Sequence, residues 1–221
     1  MARVSFFIDG FNVYHSLIKT VPDSSIPGNK KFKYRKYLWL DLHKLAGKFV
    51  KGHDTLADVF YFSAYAYHKH GAVKRHKLFV RALESTGVKV ILGKFKEKDR
   101  YCTSCNSYSK GHEEKQTDVN IAIRLIREAY EDSFDKAILI TNDTDLIPAI
   151  RMVKNNFPKK RIGILFPIDR HSNELDRACD FSLRTWKKNL RQCQFPNPYT
   201  LPDGTILNKP ATWINRSFLS K

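Results

Sequence analysis

Apolar positions along the chain switch repeatedly between two spacings, and the switches mark out the elements. Residues 4–8, with Val, Phe and Ile around one Ser, form an apolar run that predicts a strand buried on both faces and ending at Asp9-Gly10. Over residues 38–50, Leu38, Leu42, Leu45, Ala46 and Phe49 recur at helical spacing, and residues 57–66 return to the β-branched and aromatic mixture of a strand. Residues 73–86 are amphipathic and helical, with Gly87 placed as a C-cap glycine before a strand over 88–95.

Polar residues 96–111 interrupt this alternation, after which Val119, Ala122, Ile123, Ile126 and Ala129 predict a helix over 118–130. A strand at 137–140 follows, then a helix from about Leu146 that tolerates Pro148 only in its first turn. Next come a strand at 161–166, a short helix near 172–178 and an edge strand over 181–186. Beyond Gln194 the Pro-rich FPNPYTLPDGTILNKPATW predicts an irregular tail that wraps the surface. Strands alternating with helices imply the α/β class, with a Rossmann-like, doubly wound, mainly parallel sheet covered on both faces. The expected organisation is one domain over residues 1–190, an insertion at about 96–114, and an extension over 191–221.

Charge narrows the partner. The 39 Lys and Arg against 22 Asp and Glu leave a formal charge of +17, a self-repelling excess that points to a polyanion. No apolar stretch approaches the roughly 18 residues of a membrane span, so nucleic acid is favoured over a lipid surface. The opening MARVSFFIDGFNVY carries no small-residue cleavage site and reads as a strand rather than a signal peptide, so a cytoplasmic location with four reduced cysteines is expected.

The acidic residues fall where a doubly wound sheet collects function. Asp9 directly follows the first strand, and Asp143 and Asp145 lie in the turn after the strand ending at Ile140, so both turns face the carboxyl end of the sheet. Asp118 opens a helix whose dipole favours its carboxylate, and it projects toward the same end. One Asp after a strand is ordinarily a turn residue or a cap. Four converging carboxylates repel one another unless they hold a hard cation, with Mg2+ or Mn2+ the natural choice for oxygen ligands. Such an ion activates water and stabilises charge on a phosphodiester. Asn12 shares the first turn, and Thr141, Asn142 and Thr144 offer hydrogen-bonding support.

FFIDGFNVY, EEKQTDVNIAIRLI and ILITNDTDLIPAI together resemble the three signature segments of the NYN domain, a branch of the PIN-like nuclease superfamily, over about residues 3–186. The likeness extends to its LabA-like members, which often carry a C-x-x-C insertion before the EEK segment. The resemblance implies Mg2+- or Mn2+-dependent cleavage of RNA, with Asp9, Asp118, Asp143 and Asp145 on the matching acidic positions and Asn12 on the matching polar one. Two alternatives stand beside it. One is an RNA-binding module of the same fold that holds metal without cleaving; the other is a Mn2+-dependent glycosyltransferase using the D-x-D of Asp143 and Asp145, which leaves Asp9, Asp118 and the charge unexplained. P-loop and dinucleotide glycine patterns are absent.

Cys102-x-x-Cys105 and His112 supply three ligands spaced for tetrahedral Zn2+, which predicts a small zinc-binding insertion. His68 is the preferred fourth, ahead of His70, Glu113, Cys179 and Cys193. Lys30, Lys31, Lys33, Arg35 and Lys36 alternate with Phe32, Tyr34 and Tyr37, and Lys94, Lys96, Lys98 and Arg100 form a second basic run. Cations that track a backbone and rings that stack on unpaired bases suit single-stranded RNA.

Overall fold

The computed structural model describes residues 1–22, 30–104 and 106–214, apart from the side chains at 30, 31, 100 and 102. In chain order the elements are β1 (Arg3–Asp9), α1 (Gly10–Leu17), β2 (Thr20–Pro22), β3 (Lys30–Phe32), α2 (Leu42–Gly47), β4 (Thr55–Ser63), α3 (His70–Glu84) and β5 (Lys89–Leu92). They continue with β6 (Lys94–Cys102), β7 (Ser107–Lys115), α4 (Thr117–Tyr130), β8 (Lys136–Ile140), α5 (Ile147–Asn156) and β9 (Arg161–Phe166). The last are α6 (Asn173–Ala178), β10 (Phe181–Arg184), α7 (Lys187–Gln192), β11 (Tyr199–Thr200), β12 (Ile206–Leu207) and α8 (Ala211–Ile214).

Six strands form the central sheet in the order β10-β9-β8-β1-β4-β5, and each neighbouring pair is parallel. The chain winds one way from β1 through β4 to β5 and the other way from β8 through β9 to β10, so strand order reverses between β1 and β8. The carboxyl end of that border is the crevice where ligands meet such sheets. Alternation along β1 sends Val4, Phe6 and Ile8 into a core shared with α2, α3 and the tail, and Phe7 into the opposite core beneath α4, α5 and α6. No helix among the described residues is long and apolar enough to cross a membrane.

Glycine sets the entry to the crevice. A Cβ on Gly10 would lie 2.6 Å from the Tyr61 ring and 2.7 Å from the Phe62 carbonyl oxygen, so only glycine lets β1 turn into α1 hard against β4. Gly87 has φ +84 and ends α3 as a C-cap glycine should.

Three regions depart from the sequence pattern. The helix expected over 38–50 is confined to α2, because a 3-10 turn at Arg35–Tyr37 precedes it and Leu40 is drawn into a bridge with Gln194. The insertion forms an antiparallel ribbon with register from Lys94↔Lys115 to Cys102↔Ser107. It is held by its ladder and by cross-strand pairs, including Tyr101 with Tyr108 at 5.0 Å between ring centres and Lys98 with Glu113 at 3.1 Å. The tail also reaches inward: Phe195, Leu201, Leu207 and Trp213 are buried, and Trp39 donates its indole N–H to the Pro196 carbonyl at 3.0 Å. Proline limits helix in the tail to the single turn of α8, but the apolar positions between prolines close the core on the α2–α3 face.

Candidate active site

Asp9 closes β1 and caps α1. Its carboxylate accepts the Asn12 backbone N–H at 3.0 Å, the Asn12 side-chain amide, and the Thr141 hydroxyl at 3.0 Å. It is only 2% exposed. That burial pushes the carboxyl above its usual range, the hydrogen bonds from Asn12 and Thr141 pull it down, and neighbouring Asp143 pushes it further up. Thr141, at the end of β8, joins the two strand ends: its hydroxyl donates to Asp9 and accepts the Asp143 N–H at 3.0 Å. Asp143 in turn caps the 3-10 turn Thr144–Leu146 by accepting the Asp145 N–H at 3.0 Å.

Asp118 stands in the first turn of α4, half-buried. Its carboxyl is raised to about 6, first by burial and then by the charges of Asp143, Asp9, Glu114 and Asp145. The four sequence-predicted acids therefore share one electrostatic field, and a fifth carboxylate joins them. Glu114 accepts the Thr117 N–H at 3.0 Å and the Thr117 hydroxyl, which fixes it at the head of α4. Its sequence signal is the Glu-x-x-Thr-Asp spacing ahead of the helix, which places an acid beside the unpaired N–H groups of the first turn.

Among the described residues, no three His, Cys, Asp or Glu side chains stand in a group that could already hold a metal ion. The acids act on one another electrostatically but do not form a closed coordination shell. The donor set fits a hard divalent ion, being all oxygen, and the buried Oδ1 of Asn142 in the same turn has no hydrogen-bond partner.

The described residues do not bring the expected zinc ligands together. His112 pairs with Glu97 while Cys102 pairs with Ser107, five residues further along β6. At roughly 3.4 Å per residue they are about 17 Å apart along the ribbon, whereas ligands of one zinc must all lie within about 2.3 Å of the ion. Cys105 and the Cys102 side chain lie outside the described residues. His68 does meet His112, but ring against ring at 3.8 Å between centres. Of the other candidates, Glu113 is paired with Lys98 and Lys115, and the free thiols Cys179 and Cys193 are buried in opposite cores.

The first basic run is also partly spent on the fold. Tyr34 and Tyr37 are buried and cannot stack on a base, and Lys33 pairs with Asp169 at 2.5 Å. Lys94, Lys96 and Lys98 remain exposed on β6.

Comparison with known proteins agrees with this arrangement at the level of fold. The family model for the NYN domain matches residues 3–195. A curated relative, 6-hydroxy-3-succinoylpyridine 3-monooxygenase HspA of Pseudomonas putida (strain DSM 28022 / S16), is 24% identical over 97% of this chain and 76% of its own. The crystal structure of a protein of unknown function from Vibrio parahaemolyticus RIMD 2210633 superposes with a TM-score of 0.53 at 14% identity, covering 84% of this chain and 94% of that one.

Proposed function

The chain belongs to the NYN domain family, and from that premise we propose that its carboxyl-edge acids bind Mg2+ or Mn2+ and hydrolyse phosphodiester bonds of single-stranded RNA. The family implies a member of the PIN-like nuclease superfamily. The observation that carries the finer reading is Asp118, raised to about 6 by burial and by four further acids at the switch point of the sheet. A bound ion would supply the positive charge that a developing phosphoryl oxyanion needs.

The chain's own residues do the rest. Asp9, Asp118, Asp143 and Asp145 furnish the oxygen ligands, with Glu114 beside them. Asn12 and Thr141 hold the Asp9 carboxylate by hydrogen bonds, leaving its orientation fixed as a ligand changes partners. Exposed Lys94 and Lys96 of β6 offer charge to a passing backbone. A glycosyltransferase would use Asp143 and Asp145 alone and leave the other acids idle.

The test is cleavage of a fluorescent single-stranded RNA by the purified protein with and without Mn2+. Cleavage is expected only with the ion, and Asp143→Asn is expected to abolish it while RNA binding and circular dichroism stay near wild type. Cleavage that persists in EDTA or in the variant refutes the reading; intact binding with no cleavage by the wild type leaves a binding module.

An apolar cavity beside Gly10 favours one second reading, because the named relative is a monooxygenase of a pyridine. In that reading the site acts on a small aromatic molecule. Oxygen uptake with that pyridine and an added two-electron reductant, in the absence of RNA cleavage, would select it.

A further inference from the structure

The cavity next to the acids measures about 640 Å³, within the range that encloses a nucleoside-sized ligand. Gly10, next to Asp9, and Glu114 line it, so it lies beside the acidic cluster. Its walls are apolar and aromatic, with Phe11, Tyr61, Phe79 and Trp213 contributing rings. Tyr61 and His76 supply neutral polar groups to one wall: the Tyr61 hydroxyl lies 3.3 Å from His76 Nε2, and burial lowers His76 to about 4, leaving a neutral imidazole. A hydroxyl and an imidazole between aromatic walls suit a flat ring bearing heteroatoms, which can stack on the rings and share in this hydrogen bond, whereas an aliphatic chain can do neither. Lys69 and Arg75 also line the cavity and bring positive charge to it.

We propose that this cavity binds the planar heteroaromatic base of the nucleotide whose phosphate meets the acids, with Lys69 and Arg75 attracting the adjoining phosphate. The inference rests on the nuclease reading for the source of the ring; a free heteroaromatic acid is the other source of the same chemistry.

Trp213 lines the cavity and packs on Trp39 at 6.2 Å, so tryptophan fluorescence reports occupancy. Metal-free protein is titrated with adenosine and uridine monophosphates, ribose 5-phosphate and nicotinate. Saturable quenching by at least one nucleotide but not by ribose 5-phosphate is expected, weakened at least tenfold in Ala72→Phe, which fills the cavity from α3. Ala66→Leu, on the facing loop, repeats the test if Ala72→Phe does not fold. Equal response to ribose 5-phosphate, or full quenching in both filled variants, overturns the proposal. Quenching by nicotinate alone overturns the nucleobase assignment. Failure of the nuclease reading shows separately: nucleotides then bind in this assay while wild-type protein with Mn2+ leaves RNA uncut.

Discussion

At the amino end of the sheet opposite charges meet; at its carboxyl end like charges do. Arg3 at the start of β1 reaches Asp135 at 2.9 Å and Asp132 at 3.1 Å, and Lys136 at the start of β8 reaches Asp54 at 2.5 Å. Hydrogen bonds from Arg3 hold Asp135 down at about 2. At the other end burial and four acidic neighbours lift Asp118 to about 6. One residue type in one fold is thus moved in opposite directions from an ordinary value of 3.8. The amino end is arranged as stability requires, with each carboxylate given a cation. The carboxyl end opposes stability, and such a cost persists where the charges meet a ligand.

The largest expected effect breaks the comparison at its functional end. Asp118→Asn should reduce Mn2+-dependent RNA cleavage to background, while Asp54→Asn, at the paired end, should leave the initial rate within about twofold of wild type, as befits a surface ion pair remote from chemistry. Equal losses in both variants would mean that the acids act through the fold rather than through an ion.

The same Asp118→Asn change should stabilise the protein. A carboxyl raised from 3.8 to about 6 holds more protons folded than unfolded between those values, so stability falls as pH rises through that window, and the cost is complete above it. A shift of about two units corresponds to roughly 3 kcal/mol, which solvent around a half-buried group screens to about 1 kcal/mol, or some 2–4 °C in Tm for a chain of this size. Thermal unfolding of the metal-free proteins should therefore show a gain near pH 7 that vanishes toward pH 3 to 4, within the window set by those two pKa values. Saturating Mg2+ should cancel the gain, because the ion stabilises only the protein that keeps its carboxylate.

What could be read from the chain follows the same division between local and distant causes. Strands such as β1 and β8 announce themselves because burial on both faces demands apolar runs, and Asp9 and Asp143 are visible because they sit where those runs stop. Helix α1 is hidden, since its start is set by the Asp9 cap and the fit of Gly10 against Tyr61 rather than by periodicity. The ribbon of β6 and β7 is polar along KEKDRYC, so nothing local separates it from a loop; only pairing across the hairpin makes it strand. That pairing also carries His112 away from Cys102. Tyr34 and Tyr37 look like stacking platforms between lysines, yet the core on the α2–α3 face claims them. Glu114 lies at the end of a polar strand that no apolar run marks, so its only local signal is the Glu-x-x-Thr-Asp spacing that becomes its bonds to Thr117.

The smallest effect sharpens the comparison at the paired end. Asp135 accepts the Arg3 backbone N–H at 2.7 Å as well as its guanidinium, bonds that form only when β1 and β8 are docked. Because its folded value lies below the ordinary one, its contribution is present above 3.8 and is lost as pH falls from there toward about 2. Asp135→Asn should lower Tm at neutral pH by less than Asp118→Asn raises it, and make the acid limb of Tm against pH shallower in that window. The change should be small because the carboxylate is 41% exposed and water screens it, and because Asp132 still faces Arg3. A shallower limb in Asp135→Asn together with a raised plateau in Asp118→Asn is the signature of two sheet ends charged in opposite senses; parallel shifts in both would mean that the ends are not electrostatically distinct.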